Sequence, residues 1–300
     1  MLAARHRRAV AFALLALCNL LWAGNWVIGR ALRDAFEPLT LNFWRWLIAV
    51  LVLAPFALPE LAGKRDTLRR HAGLLALLAL TGVAIFQSLV YLGLRTTTAI
   101  NAVLLNSSGP LFMLLCSWMI EGEKATRRQI AGMLVSLLGI LLIVSQGEPG
   151  KLLQLEFHAG DAWILLAMPA WGMYSVLLKR RPGDLGDVGL LFVISAVGLA
   201  LLAPAFALEA LHAPPRWPTA NEAAGVLYIG LAASVGAFIF WIRGVAMVGA
   251  NAAGFTLHLL PAFGTLLAMV FLGEEFHAFH AAGIATILVG VVLATRSRSQ

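Results

Sequence analysis

The chain has 300 residues, of which 60% are hydrophobic and only 12% charged, with a formal net charge of +7. Soluble domains carry close to a quarter charged residues, so an ordinary soluble protein is excluded. The basic surplus would suit nucleic acid, but its placement along the chain ties it to a membrane surface instead.

Charge-free apolar runs occupy 9–29, 46–59, 72–94, 96–120, 129–147, 162–178, 188–208, 223–242, 244–273 and 276–295. Most reach the roughly 17–25 residues that cross a bilayer as a helix. The short run at 46–59 gains length once Arg45 is admitted and the helix begins near Pro38. Runs such as Leu74-Leu75-Ala76-Leu77-Leu78-Ala79-Leu80 are continuous rather than alternating, which argues against barrel strands. The expected fold is an all-α integral membrane protein with ten transmembrane helices. They fall near 8–30, 37–58, 72–94, 98–120, 127–146, 161–179, 187–208, 222–243, 250–272 and 277–295.

One half repeats the other. A shift of 151 sets Gly93 on Gly244, Ala99 on Ala250, Pro110 on Pro261, Gly122-Glu123 on Gly273-Glu274, Gly132 on Gly283 and Gly139 on Gly290. A shift of 149 sets Trp22 on Trp171, Val27 on Val176 and Arg30 on Lys179. Five spans per half turn the second copy upside down, and inverted repeats around a midplane cavity are the architecture of alternating-access carriers. The expected units are 1–147 and 160–300, joined by an external loop at 148–159.

With the N-terminus placed in the cytoplasm, fifteen Lys/Arg fall on that side, among them Arg5, Arg7, Arg8, Lys64, Lys124, Lys179, Arg296 and Arg298. Only Arg30, Arg33, Arg95, Lys151 and Arg216 fall on the other. The positive-inside rule then puts both termini in the cytoplasm of a cell whose inner membrane holds the protein. Basic residues before the first apolar run, which ends in Ala23-Gly24, resemble a secretory signal. The Trp22/Trp171 match argues against cleavage, since a discarded segment has no reason to repeat a mid-chain helix.

Along the chain, Trp22, Asn25 and Trp26 share one face of the first helix, and Cys18 beside them is apolar filler, as is Cys116. The second helix carries Arg45. The third offers Gln87 and Tyr91 one turn apart. The fourth begins with Asn101, continues through Asn106, Ser107 and Ser108, and bends at Pro110. Amides in hydrocarbon need partners on other helices or in a wet cavity.

The fifth helix (Gly132, Ser136, Gly139) and the tenth (Gly283, Gly290) present small residues that permit close backbone approach. They brace the halves or meet a second copy, and do not line a substrate path. The chain is therefore expected to be a monomer or weak homodimer. On the sixth helix, Trp171, Tyr174 and Ser175 stand at the places equivalent to the first-helix cluster, and Trp163 lies on the same helix. Pro214-Pro215 and Pro218 stiffen the 209–221 loop, where Trp217 sits at headgroup level. The eighth helix presents Ser234, Phe238 and Trp241. The ninth carries His258 one turn before Pro261, so that paired proline bends flank the cavity.

None of the fifteen carboxylates lies at mid-span. A proton relay or a dication carrier would need one. Arg45, Arg243 and His258 are the ionisable groups within spans. For the two arginines, a functional role and snorkelling or ion pairing both remain open. His258 reads as neutral and hydrogen-bonded. His277 and His280 stand three apart with no third ligand in view, so no metal or cofactor is expected. No nucleophile–base pair or phosphate loop occurs, so the chain is not expected to be an enzyme. The candidate substrate-binding set is Trp22, Asn25, Gln87, Tyr91, Asn101, Trp163, Trp171, Tyr174, Ser234, Phe238 and His258.

Trp22-Ala-Gly-Asn25, Arg45, Pro110 with Gly122-Glu123, Trp171, and Pro261 with Gly273-Glu274 together resemble the drug/metabolite transporter superfamily, in its ten-helix EamA-type permeases. The resemblance covers nearly the whole chain. It implies an inner-membrane carrier, an exporter of aromatic and other neutral amino acids or of similar metabolites, with lipid and a small molecule as partners. Two alternatives stand beside it: a carrier for sugar phosphates, nucleotide sugars or drug-like compounds, and a lipid-handling membrane protein that is no carrier. A phosphorylated substrate would want several cavity-facing cations, and only Arg45 and Arg243 are on offer.

Overall fold

The computed structural model describes residues 2–213, 216–272, 275 and 277–295. Pro214-Pro215, Gly273-Glu274, Arg296 and Arg298 lie outside the described residues. The described residues are helical throughout, with short connections and no strand.

Ten helical segments run in chain order: α1 (Leu2–Ala31), α2 (Pro38–Leu61), α3 (Ala72–Thr96), α4 (Ala99–Asn106, then Gly109–Glu121) and α5 (Arg127–Val144). The second half holds α6 (Ala159–Arg180), α7 (Asp187–His212), α8 (Ala220–Val248), α9 (Ala250–Phe255, a turn at Thr256–His258, then Leu259–Leu272) and α10 (Ala278–Thr295). Among the described residues, nine helices, the bent α4 included, are long and apolar enough to cross a membrane, and the broken α9 makes the tenth segment.

Local chemistry fixes the ends. Pro38 opens α2, where its missing N–H costs nothing. Thr126 with Gln129, and Thr219 with Glu222, form capping boxes at the starts of α5 and α8. Gly122, at φ 71°, closes α4 in a left-handed conformation that other residues resist.

Packing displays the inverted symmetry. Helix α1 lies on α8, and its repeat mate α6 lies on α3, the mate of α8. Helix α4 packs on α6 as α9 packs on α1, while α2 meets α7 and α5 meets α10. The match extends to atoms. A Cβ on Gly93 would stand 2.5 Å from Ile164, and one on Gly244 would stand 2.6 Å from Leu15. Both glycines, and both partners, are repeat equivalents. The small residues of α5 and α10 brace the halves: a Cβ on Gly139 would lie 2.6 Å from the Gly283 carbonyl.

Two features bend the helices. The breaks in α4 and α9 fall just ahead of Pro110 and Pro261, as their sequence predicts. Helices α3 and α8 also each contain a π-helical stretch, Leu80–Ile85 and Ile229–Gly236, at corresponding places in the repeat. A π turn releases carbonyls from the helical ladder. Side chains take them up: the Asn42 amide donates to Val83 O at 3.4 Å, and the Trp22 indole to Ala233 O at 3.1 Å.

Candidate functional site

Arg45 sits seven positions into α2, about 10 Å from its end at 1.5 Å per residue. Its side chain is fully buried. Nε donates to Ser234 Oγ on α8 at 2.8 Å. Nη1 donates to Gln87 Oε1 at 2.9 Å and to Tyr91 Oη at 2.8 Å, both on α3. Tyr91 in turn donates to Asn25 Oδ1 on α1 at 3.1 Å. The guanidinium carbon lies 5.3 Å from the Trp46 ring centre and 5.8 Å from that of Tyr91. Its surroundings are therefore neutral acceptors and π faces, with no ion pair recorded for this arginine among the described residues. Nη2 is buried and has no partner.

Around this polar knot stands an aromatic cluster drawn from both halves. Trp22, Trp171 and Trp241 form a triangle, with ring centres 5.1 Å (Trp22–Trp171), 5.3 Å (Trp22–Trp241) and 5.2 Å (Trp171–Trp241) apart. Phe238 touches Trp22 at 5.6 Å and Trp46 at 5.0 Å, so it joins the triangle to the arginine. Phe86 and Tyr174 lie against Trp171. Such tilted and edge-on contacts favour ring packing beyond mere area. The indole nitrogens of Trp46, Trp171 and Trp241 are buried without acceptors.

Two cavities approach the cluster. One, of about 480 Å³, opens at the end of the bundle opposite the N-terminus and is lined by Trp26, Arg30, Asn106, Pro261 and His280 among others. The second, of about 20 Å³, lies deeper among Trp22, Asn25, Gln87, Asn106 and Trp171. Trp26, Asn106 and Leu260 belong to both, so the vestibule leads down to the cluster. The deep cavity has room for about one water.

The opposite end, which carries the N-terminus, is tied shut across the halves. Lys179 on α6 pairs with Glu121 and, at 2.8 Å, with Glu123. Asn251 at the start of α9 also donates to Glu123, at 3.3 Å. Glu60 accepts from the backbone N–H of Gly186 at 2.6 Å. Arg243 lies at this end, largely exposed and 3.2 Å from Asp187, so ion pairing rather than a cavity role accounts for it.

Eight of the predicted site residues meet here: Trp22, Asn25, Gln87, Tyr91, Trp171, Tyr174, Ser234 and Phe238. Three do not. Asn101 points to the vestibule end, where it donates to Asp161 Oδ2 at 2.7 Å and holds α4 to α6. Trp163 is 43% exposed on the outside of α6, where lipid would cover it. His258 is a clamp between helices: Nε2 donates to Ser107 O at 3.0 Å, and Nδ1 meets the Ser136 hydroxyl. The clamp joins the breaks of α4 and α9. The ends of α5 and α10 also line the vestibule through Val144 and His280, a role not expected of bracing helices.

Sequence reasoning left Arg45, Trp46, Phe86 and Trp241 out of the set. The available signal was a lone arginine at mid-helix beside a tryptophan, since an intramembrane charge is functional by default.

A multi-pass helical bundle with inverted halves and a vestibule leading to a shared midplane cluster defines a membrane carrier. The model of the EamA-like transporter family matches residues 9–145 and again 158–296. The chain belongs to that family, within the drug/metabolite transporter superfamily, and is a membrane transporter. It is 29% identical to an "uncharacterized transporter" of Archaeoglobus fulgidus, over 96% of this chain and 98% of that protein. It is 28% identical to a "probable terminal-alkyne amino-acid exporter" of Streptantibioticus cattleyicolor, over 94% of this chain and 92% of that one. A solved crystal structure aligns with a TM-score of 0.71 over 97% of this chain and 96% of its own, at 21% identity, a likeness of fold alone.

Proposed function

We propose that this transporter exports aromatic and other neutral amino acids across the inner membrane by alternating access. The observation that carries the reading is the midplane cluster, in which Arg45 of one half is bonded to Ser234 of the other amid edge-on aromatic rings. Aromatic walls suit apolar side chains, while amides, hydroxyls and one cation suit a small polar headgroup. The relative whose printed name is an amino-acid exporter supports the same substrate class.

In this reading both termini are cytoplasmic, units 1–147 and 160–300 rock about the cluster, and the vestibule faces outward. The described conformation is then outward-open above the site and closed below it. Transport is by facilitation or exchange, with its equilibrium level indifferent to a pH gradient, since no carboxylate lies at mid-span to carry a proton. The α5–α10 contact is spent within one chain, which favours a monomer.

Purified protein in liposomes, loaded with unlabelled phenylalanine and offered labelled amino acids, tests this. Counterflow of aromatic and branched amino acids is expected, unchanged by an imposed pH gradient. Absence of counterflow for every amino acid would refute the substrate assignment.

A further inference from the structure

Arg45 has five N–H donors, and the fold leaves two of them over. Nε is taken by Ser234, and both hydrogens of Nη1 are taken by Gln87 and Tyr91. Both hydrogens of Nη2 are buried and unbonded. Unbonded donors continue outward. Trp46, whose ring lies 5.3 Å from the guanidinium carbon, has a buried, unbonded indole N–H, as do Trp171 and Trp241. Gln87 Oε1 and Asn25 Oδ1 each already accept one bond, from Arg45 and from Tyr91, and both lie beside donors of the Arg45 network rather than beside an anionic group. The cluster thus has spare donors, one uncompensated positive charge and rings all round. An unpaired charge within a membrane protein is costly, and an arginine does not shed its proton to escape.

We infer that Arg45 Nη2 is the anchor for a carboxylate, and that the protein recognises its substrates by that group rather than by their ammonium. Resting on the carrier reading above, this extends the substrate class to monocarboxylates with an aromatic or branched apolar body, with or without an α-amino group. Nε and Nη1 are occupied, so the usual two-pronged grip on a carboxylate is blocked and the anion is met at Nη2 alone. The Trp46 indole N–H, on a ring 5.3 Å from the guanidinium carbon, is a further unbonded donor. Phe238, 5.0 Å from Trp46, and the tryptophan triangle receive the apolar body. A deep cavity of about 20 Å³ holds no such body, so the rings between Trp26 and Trp171 shift as the ligand enters.

The test compares phenylalanine, phenylalaninamide, phenethylamine and 3-phenylpropionate on the full chain in nanodiscs, by binding, and in liposomes, by counterflow. Phenylalanine and 3-phenylpropionate are expected to bind at least about tenfold more tightly than the amide and the amine, as a charge-assisted hydrogen bond requires. Arg45→Gln should level the four affinities, and Arg45→Lys should retain part of the preference. The wild-type comparison decides the matter even where the variants fail to fold. Equal or tighter binding of amide or amine would overturn the anchor, as would failure of both carboxylates to bind. Counterflow of phenylalanine and its amide at equal rates removes the anchor but keeps the carrier reading. Tight carboxylate-selective binding without counterflow of any amino acid keeps the anchor and removes that reading.

Discussion

Arg45 donates to Ser234 at 2.8 Å across 189 positions of sequence, from the first third of α2 to the π-helical stretch of α8. The Ser234 hydroxyl in turn donates to the Ile229 carbonyl, five residues back in the same π-helical stretch, at 2.8 Å. A buried cation of the first half is therefore held by a helix irregularity of the second. This one contact ties the charge at the site to the joint between the halves.

Ser234→Ala should expose both costs. Arg45 Nε and Ile229 O would each lose a partner in a buried setting, for a loss of about 1–3 kcal/mol in stability. Thermal unfolding in detergent measures it, with Thr286→Ala on α10 as the control. Thr286 bonds only to its own helix at the surface, and its loss should stay within about 0.5 kcal/mol. Equal effects from the two would mean that the Ser234 bond contributes nothing special.

Gly290 tests the joint between α5 and α10. A Cβ there would stand 2.4 Å from Ser136 N and 2.6 Å from Gly132 O, backbone atoms that cannot swing aside. Gly290→Ala should push the helices apart and cost about 1–3 kcal/mol. Gly73→Ala, where nothing lies within 4 Å, should be neutral or gain up to about 1 kcal/mol. If Gly290→Ala is as mild as Gly73→Ala, the close bracing contact is wrong.

The helix count, the inverted halves and the paired proline breaks were legible because bilayer thickness and repeat spacing leave their mark on sequence directly. The π stretches were not. Nothing in Leu80–Ile85 or Ile229–Gly236 announces them, and they arise where neighbours press close, with Tyr174 against Gly82 and Ile48 against Gly230. Side-chain direction was also hidden, because a helix apolar on every face gives no stripe to read. Trp163 and Trp171 share one helix, yet one ends exposed and the other at the centre. Asn101 looked like a cavity amide because its partner Asp161 lies 60 positions away.

The closure near the N-terminus should weaken in acid. The hydrogen bond from Lys179 holds the Glu123 carboxyl below the usual glutamate range. A carboxyl whose pKa is depressed in the folded state stabilises above its unfolded value, about 4.3, and loses that contribution as pH falls through the lower folded value. Glu123→Gln should therefore differ from wild type at neutral pH by less than about 1 kcal/mol, since the pair is half exposed, and converge with it in acid. Unfolding midpoints followed from about pH 7 down to pH 3 give the answer. A gap between the two proteins that widens in acid would contradict the assignment.

Trp171 is 2% exposed, borders the deep cavity and touches Trp22, Phe86, Tyr174 and Trp241. Truncation to alanine would remove a core ring and cost about 3–5 kcal/mol, so lost transport would say little about recognition. Trp171→Phe is the cleaner probe, because it keeps a ring against its neighbours and removes the larger π face. Aromatic pairs contribute about 0.5–1.5 kcal/mol beyond buried area, so the preference for aromatic over branched substrates should fall about three- to tenfold. Counterflow with labelled phenylalanine and leucine in the same vesicles reads that ratio independently of how much protein is folded. A ratio unchanged while both rates fall together would assign Trp171 to packing alone.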